Sequence, residues 1–211
     1  MTESKLGFVP TYERLPLYLH VAEQALQDGK PFISGTEIAD DLCLSPIQVR
    51  KDLSFACLKG IPKRGYKTAE LISGIRSFLT WDTTKPAIVI GAGNLGKALI
   101  LHDEFKDCGL NIVGIFDNDK RKIGKKIGTL EVCNIEHLER AVKNLKPWIA
   151  VLTLSEKANV QELASTLAEN GIKGIWNFTK QRIVLDADVA VYDTDLCSSF
   201  AVLCADMQRR K

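Results

Sequence analysis

In the stretch "AIVIGAGNLGKALI" an apolar run leads into Gly91-x-Gly93-x-x-Gly96, with Ala92, Asn94 and Leu95 filling the spacing. Residues of these types in this order can hold a pyrophosphate. Gly91 permits a tight turn, Gly93 lets the backbone approach the phosphates, and Gly96 lets the next helix lie close on the sheet with its positive N-terminal end toward the anion. Asp117 ends the strand "IVGIFDND" about twenty residues on, where an acid can bind the adenosine ribose hydroxyls. A carboxylate there repels a 2′-phosphate, which favours NAD(H) over NADP(H), although Arg121 and Lys122 stand close by in sequence.

A second constellation is electrostatic. Between Arg50 and Lys67 six basic residues (Arg50, Lys51, Lys59, Lys63, Arg64, Lys67) face one acid, Asp52, while the whole chain carries a net charge of only +2. Such local clustering is the footprint of a nucleic-acid binder. In "SPIQVRKDLS" the outer face of a short helix would carry Ile47, Arg50, Lys51 and Ser54, with Gln48 at its flank and Ser45 at its start. In a major groove, Arg and Lys can donate to guanine edges or phosphates, Gln48 can pair with adenine, and Ile47 can touch a thymine methyl. "KGIPKRGY" reads as a basic hairpin tip that can lay Lys63 and Arg64 along the backbone or into a narrow minor groove.

These residues need two kinds of scaffold. Up to about residue 79 the periodicity is helical: Leu17, Val21 and Ala25 share a face, Ser34 and Glu37 are spaced as a capping box, and Ser45-Pro46 starts the basic helix. Val49, Leu53 and Ala56 would pack on Ile38 and Leu42, giving a helix-turn-helix, and the basic tip beside it makes the layout a winged helix. "LTWDTTKP" (79–86) is the expected seam. Beyond it, apolar runs of strand length alternate with helical segments, "NLGKALILHDEF" read as one of them, which means βαβ units and a largely parallel sheet. "KRKIGKK" (120–126) is expected on a loop at its rim, either solvated or in contact with adenine, phosphate or DNA. At the end, Leu196, Phe200, Leu203, Cys204 and Met207 form an apolar stripe that must be covered, by its own sheet or by a partner subunit.

Several classes are disfavoured. No apolar run approaches the roughly 20 residues of a membrane span, and the N-terminus lacks a signal peptide's pattern, so a cytoplasmic protein is expected. The six scattered cysteines show no metal spacing and read as reduced core residues, and no metal is expected. The chain offers no Tyr-x-x-x-Lys pair, its three histidines fall in expected helices, and little is left over for a substrate domain, so no catalytic residue is assigned.

The segments "RLPLYL", "LSPIQVRKDLS", "GAGNLGKALI", "FDND", "GIKGIWNF" and the terminal "DL" helix together resemble the Rex redox-sensing transcriptional repressors over nearly the whole length. The resemblance implies an α/β homodimer: an N-terminal winged helix-turn-helix domain (1–79), a Rossmann-type doubly wound parallel sheet (80–194), and a C-terminal helix (195–211) exchanged between subunits. It implies binding to double-stranded operator DNA, release when NADH rises, and weak competition by NAD+. Carried over, Gly91, Gly93, Asn94, Leu95 and Gly96 hold the pyrophosphate, Asp117 the ribose, and Arg50 and Lys51 are the main DNA contacts. A relay of cofactor state matches at Arg14 and Asp195, with His102 where the family has Tyr. The wing, "FACLKGIPKRGY" against the family's "YFGEFGKRGVGY", and "LTLSEK" in place of a Val-Pro depart from the pattern.

Charge gives a reason for the ligand bias. NAD+ carries a cationic nicotinamide and NADH a neutral one, and a dry pocket lined by Leu196 and Phe200 disfavours the cation. A neutral His102 can bond Asp195 while an imidazolium adds charge beside the ring, so NADH affinity is expected to vary between pH 6 and 8. Two rivals remain: a small NAD-dependent oxidoreductase, and the same scaffold sensing another adenine nucleotide such as coenzyme A.

Overall fold

The computed structural model describes residues 9–155, 158–186 and 188–209, the side chains of Val9, Leu196 and Ser199 excepted; Leu196 in the expected pocket and Glu156 and Lys157 of "LTLSEK" therefore lie outside it. The chain divides between Thr83 and Thr84 into two units, each with its own apolar core.

The first unit runs α1 (Val9–Gln27), β1 (Phe32–Ile33), α2 (Gly35–Asp41), α3 (Pro46–Phe55), β2 (Tyr66–Lys67), α4 (Thr68–Phe78). Its boundaries follow from local chemistry. The Ser34 hydroxyl accepts from Glu37 N at 3.1 Å while Glu37 Oε2 accepts from Ser34 N at 2.8 Å, a reciprocal cap that fixes the start of α2. Ser45 Oγ accepts from Ile47 N and Pro46 opens α3. Val49, Leu53 and Ala56 bury on Ile38 and Ala39, while Leu15, Tyr18, Leu19 and Ala22 supply the face of α1. That 15/18/19/22 spacing turns Leu17 outward, half exposed, against the expectation that it faced the core.

β1 and β2 pair antiparallel, Ile33 opposite Tyr66, and an Ile61–Gly65 bridge closes the basic turn above them. Gly65 has φ +83°, and a Cβ there would run into the Ile33 carbonyl, so this turn requires glycine. The result is a winged helix.

The second unit is a seven-stranded sheet in the order β5-β6-β4-β3-β7-β8-β9, formed by β3 (Lys85–Ile90), β4 (Leu110–Asp117), β5 (Lys126–Ile127), β6 (Leu130–Asn134), β7 (Ile149–Leu152), β8 (Gly174–Asn177) and β9 (Ala190–Asp193). All pairings are parallel except β5 with β6. Without the β5 edge this is the doubly wound order with its switch point at β3, flanked by β4 and β7. The crossovers carry α5 (Asn94–Leu101), α6 (Glu104–Asp107), α7 (Leu138–Leu145) and α8 (Val160–Glu169).

Other expectations change. "NLGKALILHDEF" is two helices, because His102 turns extended (ψ 101°) and caps α5. His137 ends a 3-10 turn. None of the six cysteines is buried; Cys43 and Cys57 sit at positive φ in the exposed turns after α2 and α3 rather than in the core. The terminal α9 (Leu196–Arg209) leaves Phe200 67%, Leu203 55% and Met207 59% exposed, with Cys204 half-buried, so the stripe is not covered by this chain's own sheet.

Candidate functional site

The carboxyl ends of β3, β4 and β7 meet around a cavity of about 410 Å³ lined by Gly91, Gly93, Asn94, Leu95, Asp117, Asn118, Lys122, Thr153, Leu154, Ser155 and Phe178. Gly91 is held at φ +110°, a conformation side chains rarely adopt. A Cβ on Gly96 would fall inside the envelope of the Gly91 carbonyl oxygen, so that glycine seats α5 against the loop. A Cβ on Gly93 would meet nothing within 4 Å, which leaves open backbone facing the cavity where phosphates can approach.

Asp117 is buried and organises the loop. Its Oδ2 accepts from Ala92 N at 2.7 Å and from Lys122 Nζ at 2.8 Å, and its Oδ1 accepts from Asp119 N at 2.8 Å. Burial pushes the carboxyl up, but the Lys122 ammonium and the two amide donors outweigh it and hold Asp117 below the ordinary range. The anion that a ribose hydroxyl would bond is thus in place. Lys122 belongs to "KRKIGKK", which was expected to be a loop at the rim; this lysine turns inward and lines the cavity.

Spacing rules miss Thr153. It follows β7, and its hydroxyl donates to the Gly91 carbonyl at 2.8 Å, tying the glycine turn to the neighbouring strand. A polar residue at the end of the apolar run "WIAVL" was its signal in the sequence.

On α3, Ile47 (59% exposed), Arg50, Lys51 and Ser54 stand on the outside, with Ser45 at the exposed cap. Lys63, at φ +64°, and Arg64 occupy the wing turn, and the Arg64 guanidinium lies 4.1 Å from the Phe32 ring centroid. Gln48 differs from expectation. Its Nε2 donates to Asp52 Oδ1 at 3.0 Å, so the amide is turned inward and is not free to pair edge-on with adenine.

Asp52 is a buried hub. Besides Gln48 it accepts from Thr11 Oγ1 (2.9 Å), Tyr18 Oη (2.7 Å), Arg14 Nε (2.7 Å) and Arg14 Nη2 (2.9 Å). Burial raises the carboxyl's pKa, yet these donors, Arg14 foremost, bring it down to about 2. Arg14 of the expected relay is therefore engaged with the recognition helix. The His102 ring lies tilted against that of Phe105, centroids 5.0 Å apart, while Asp195 accepts from Cys197 N at 2.9 Å at the start of α9. His102 and Asp195 line separate cavities.

A winged-helix unit followed by a Rossmann-type unit with a glycine-lined cleft defines a two-domain class that joins a helix-turn-helix to a nucleotide fold. Residues 82–181 match the family described as CoA binding domain, and residues 9–54 the family described as putative DNA-binding protein N-terminus. The chain is 46% identical over 211 residues to the redox-sensing transcriptional repressor Rex of Treponema denticola, covering all of both chains. It is 36% identical over 193 residues to Rex 2 of Thermotoga maritima, covering 92% of each. Among solved structures it resembles RSP in complex with β-NADH (TM-score 0.85, 31% identity, 96% of this chain and 94% of that one). It also resembles RSP in complex with β-NAD+ and operator DNA (TM-score 0.87, 30% identity, 100% and 95%). The chain belongs to the Rex family of redox-sensing transcriptional repressors.

Proposed function

We propose that this chain is a repressor that holds double-stranded operator DNA when NADH is scarce and lets go when NADH binds, with NAD+ competing. The observation that carries the reading is the buried Asp117 carboxylate bonded to Ala92 N beside the open backbone of Gly93, a preformed dinucleotide cleft in a chain that also carries a basic winged helix. Gly91, Ala92, Gly93, Asn94, Leu95 and Gly96 surround the pyrophosphate and Asp117 takes the ribose. Ser45, Ile47, Arg50, Lys51, Ser54, Lys63 and Arg64 face the DNA, with Gln48 behind them. The chain acts in the cytoplasm as a regulator without turnover, and as a homodimer through α9. Arg14, His102 and Asp195 relay the cofactor state.

The test is a gel shift on the DNA upstream of the chain's own gene. A shifted band without NADH that disappears on adding it is the expected result; a band indifferent to saturating NADH sinks the reading. Replacing Arg50 and Lys51 together with Ala should abolish the band while leaving the NADH Kd unchanged. No NADH oxidation or reduction should appear with any of the common 2-hydroxy or 2-oxo acids.

Coenzyme A is the second reading, because the matched family carries that name. Its ribose bears a 3′-phosphate, which the Asp117 carboxylate opposes. Coenzyme A should therefore neither release the DNA nor displace NADH.

The glycine loop gives a further expectation. Gly96→Ala forces α5 off the Gly91 carbonyl, an overpacking of about 1–3 kcal/mol. NADH should bind roughly 10- to 100-fold more weakly by calorimetry. Operator binding should persist but need correspondingly more NADH for release.

A further inference from the structure

Between α2, α3 and the wing, the first unit holds a groove of about 650 Å³. Three of its lining residues are glycines, and at Gly65 there is no room for a side chain. A Cβ on Gly35 would stand 3.4 Å from Arg50 Cγ, one on Gly60 would stand 3.3 Å from Tyr66 Cζ, and one on Gly65 would run into the Ile33 carbonyl. The stem of Arg50 therefore lies back across Gly35 and lines the groove, as does the half-buried Tyr66. The two sit close enough for the guanidinium charge to counter part of the effect of burial on the phenol. Neither Arg50 nor the Tyr66 hydroxyl has a hydrogen-bond or ion-pair partner among the described residues. The acid in the lining, Glu37, is already committed, accepting from Ser34 N at 2.8 Å and pairing with Lys30 at 3.6 Å.

We propose that this groove seats a phosphate of the DNA backbone, with the Arg50 guanidinium and the Tyr66 hydroxyl as its donors. The proposal rests on the DNA-binding function above and divides the labour on α3. Ile47, Lys51 and Ser54 are spaced i, i+4, i+7 and share one exposed stripe, the one that can meet base edges. Arg50 shares that outward face, but its stem leans toward Gly35 and the wing, which sets its guanidinium beside Tyr66 rather than straight out from α3. Reading guanine O6 and N7 needs a guanidinium projecting straight into the groove, whereas a backbone phosphate is met from the side. Arg50 and Tyr66 thus fix register and add affinity, and sequence is read by their neighbours.

Anisotropy titrations of the full chain with the upstream duplex and with a scrambled duplex, over a salt series, test this. Arg50→Ala should weaken both duplexes by the same factor and lower the salt slope by about one, leaving the specificity ratio intact. Tyr66→Phe should weaken both by about 2- to 10-fold, the size of one lost hydrogen bond. Arg50→Lys should recover most of the affinity, because a phosphate accepts a point charge. Lys51→Ala should lower the specificity ratio instead. Selective loss of the upstream duplex in Arg50→Ala, or a failure of Arg50→Lys to rescue, would overturn the assignment alone. An unsubstituted chain that binds neither duplex overturns the DNA-binding function and the assignment with it.

Discussion

Asp52→Ala is expected to unfold the winged helix while the dinucleotide fold survives. Asp52 is 2% exposed and gathers Thr11, Arg14, Tyr18 and Gln48 around one carboxylate, joining α1 to the recognition helix. Removing it leaves a guanidinium and a fully buried phenol without their acceptor, and breaking a buried ion pair from one side costs about 3–5 kcal/mol. In a unit of this size each kcal/mol lowers the midpoint by about 4–8 °C, so its calorimetric transition should fall by at least about 12 °C. Operator binding should vanish at 37 °C, and NADH affinity should not change. A variant whose operator affinity and thermogram match the parent would refute the hub.

The same carboxylate sets an acid limit. Its folded pKa of about 2 lies below the ordinary 3.8, so its contribution is complete above about pH 4 and is lost as pH falls toward 2. The linked loss is about 2 kcal/mol, confined to the winged helix. Asp52→Asn removes the titration, and its stability should be flatter over that window.

Asp52 also shows where sequence reasoning stops. Its partners Thr11, Arg14 and Tyr18 lie 41, 38 and 34 residues away, and no periodicity links positions so distant. In the sequence it is simply the lone acid in a basic run, and Gln48 beside it reads as a free DNA contact. The features that were legible are local ones: the Ser34–Glu37 box, the Ser45-Pro46 start, the tight wing turn, and the glycine turn before α5. Each is fixed by neighbours within a few residues. Asp117 was legible because strand and turn lengths in a βαβ unit are themselves constrained. Thr153 and Lys122 were not, since only the sheet brings β7 to the glycine turn and only the loop's fold aims one lysine of several inward. The cysteines and Leu17 misled for one reason: residue type predicts burial on average, and turns and helix phase decide it in the particular case.

The largest effect on assembly is expected from α9. Phe200, Val202, Leu203 and Met207 are all more than half exposed. At 100° per residue Val202 lies opposite the Phe200–Leu203–Met207 stripe, so apolar side chains are bare on both sides of the helix. An exposed apolar stripe on a helix is normally buried against something, and in the proposed homodimer a second copy of this chain supplies a matching stripe across a two-fold axis. Phe200→Glu combined with Leu203→Glu then strips four apolar side chains from one dimer. At about 1.5–3 kcal/mol for each, the dimer should weaken by roughly 6 kcal/mol or more, over 10⁴-fold in dissociation constant. Sedimentation should find monomers at micromolar concentration. A monomer presents one recognition helix where a dimer presents two about one DNA turn apart, so operator affinity should collapse toward the non-specific level. ADP-ribose, which lacks the nicotinamide, should bind the glycine loop as before, because Gly91, Asp117 and Thr153 come from a single chain, while NADH, whose nicotinamide is expected beside Phe200, should bind more weakly. A double variant that remains dimeric and fully NADH-responsive would place the subunit contact elsewhere.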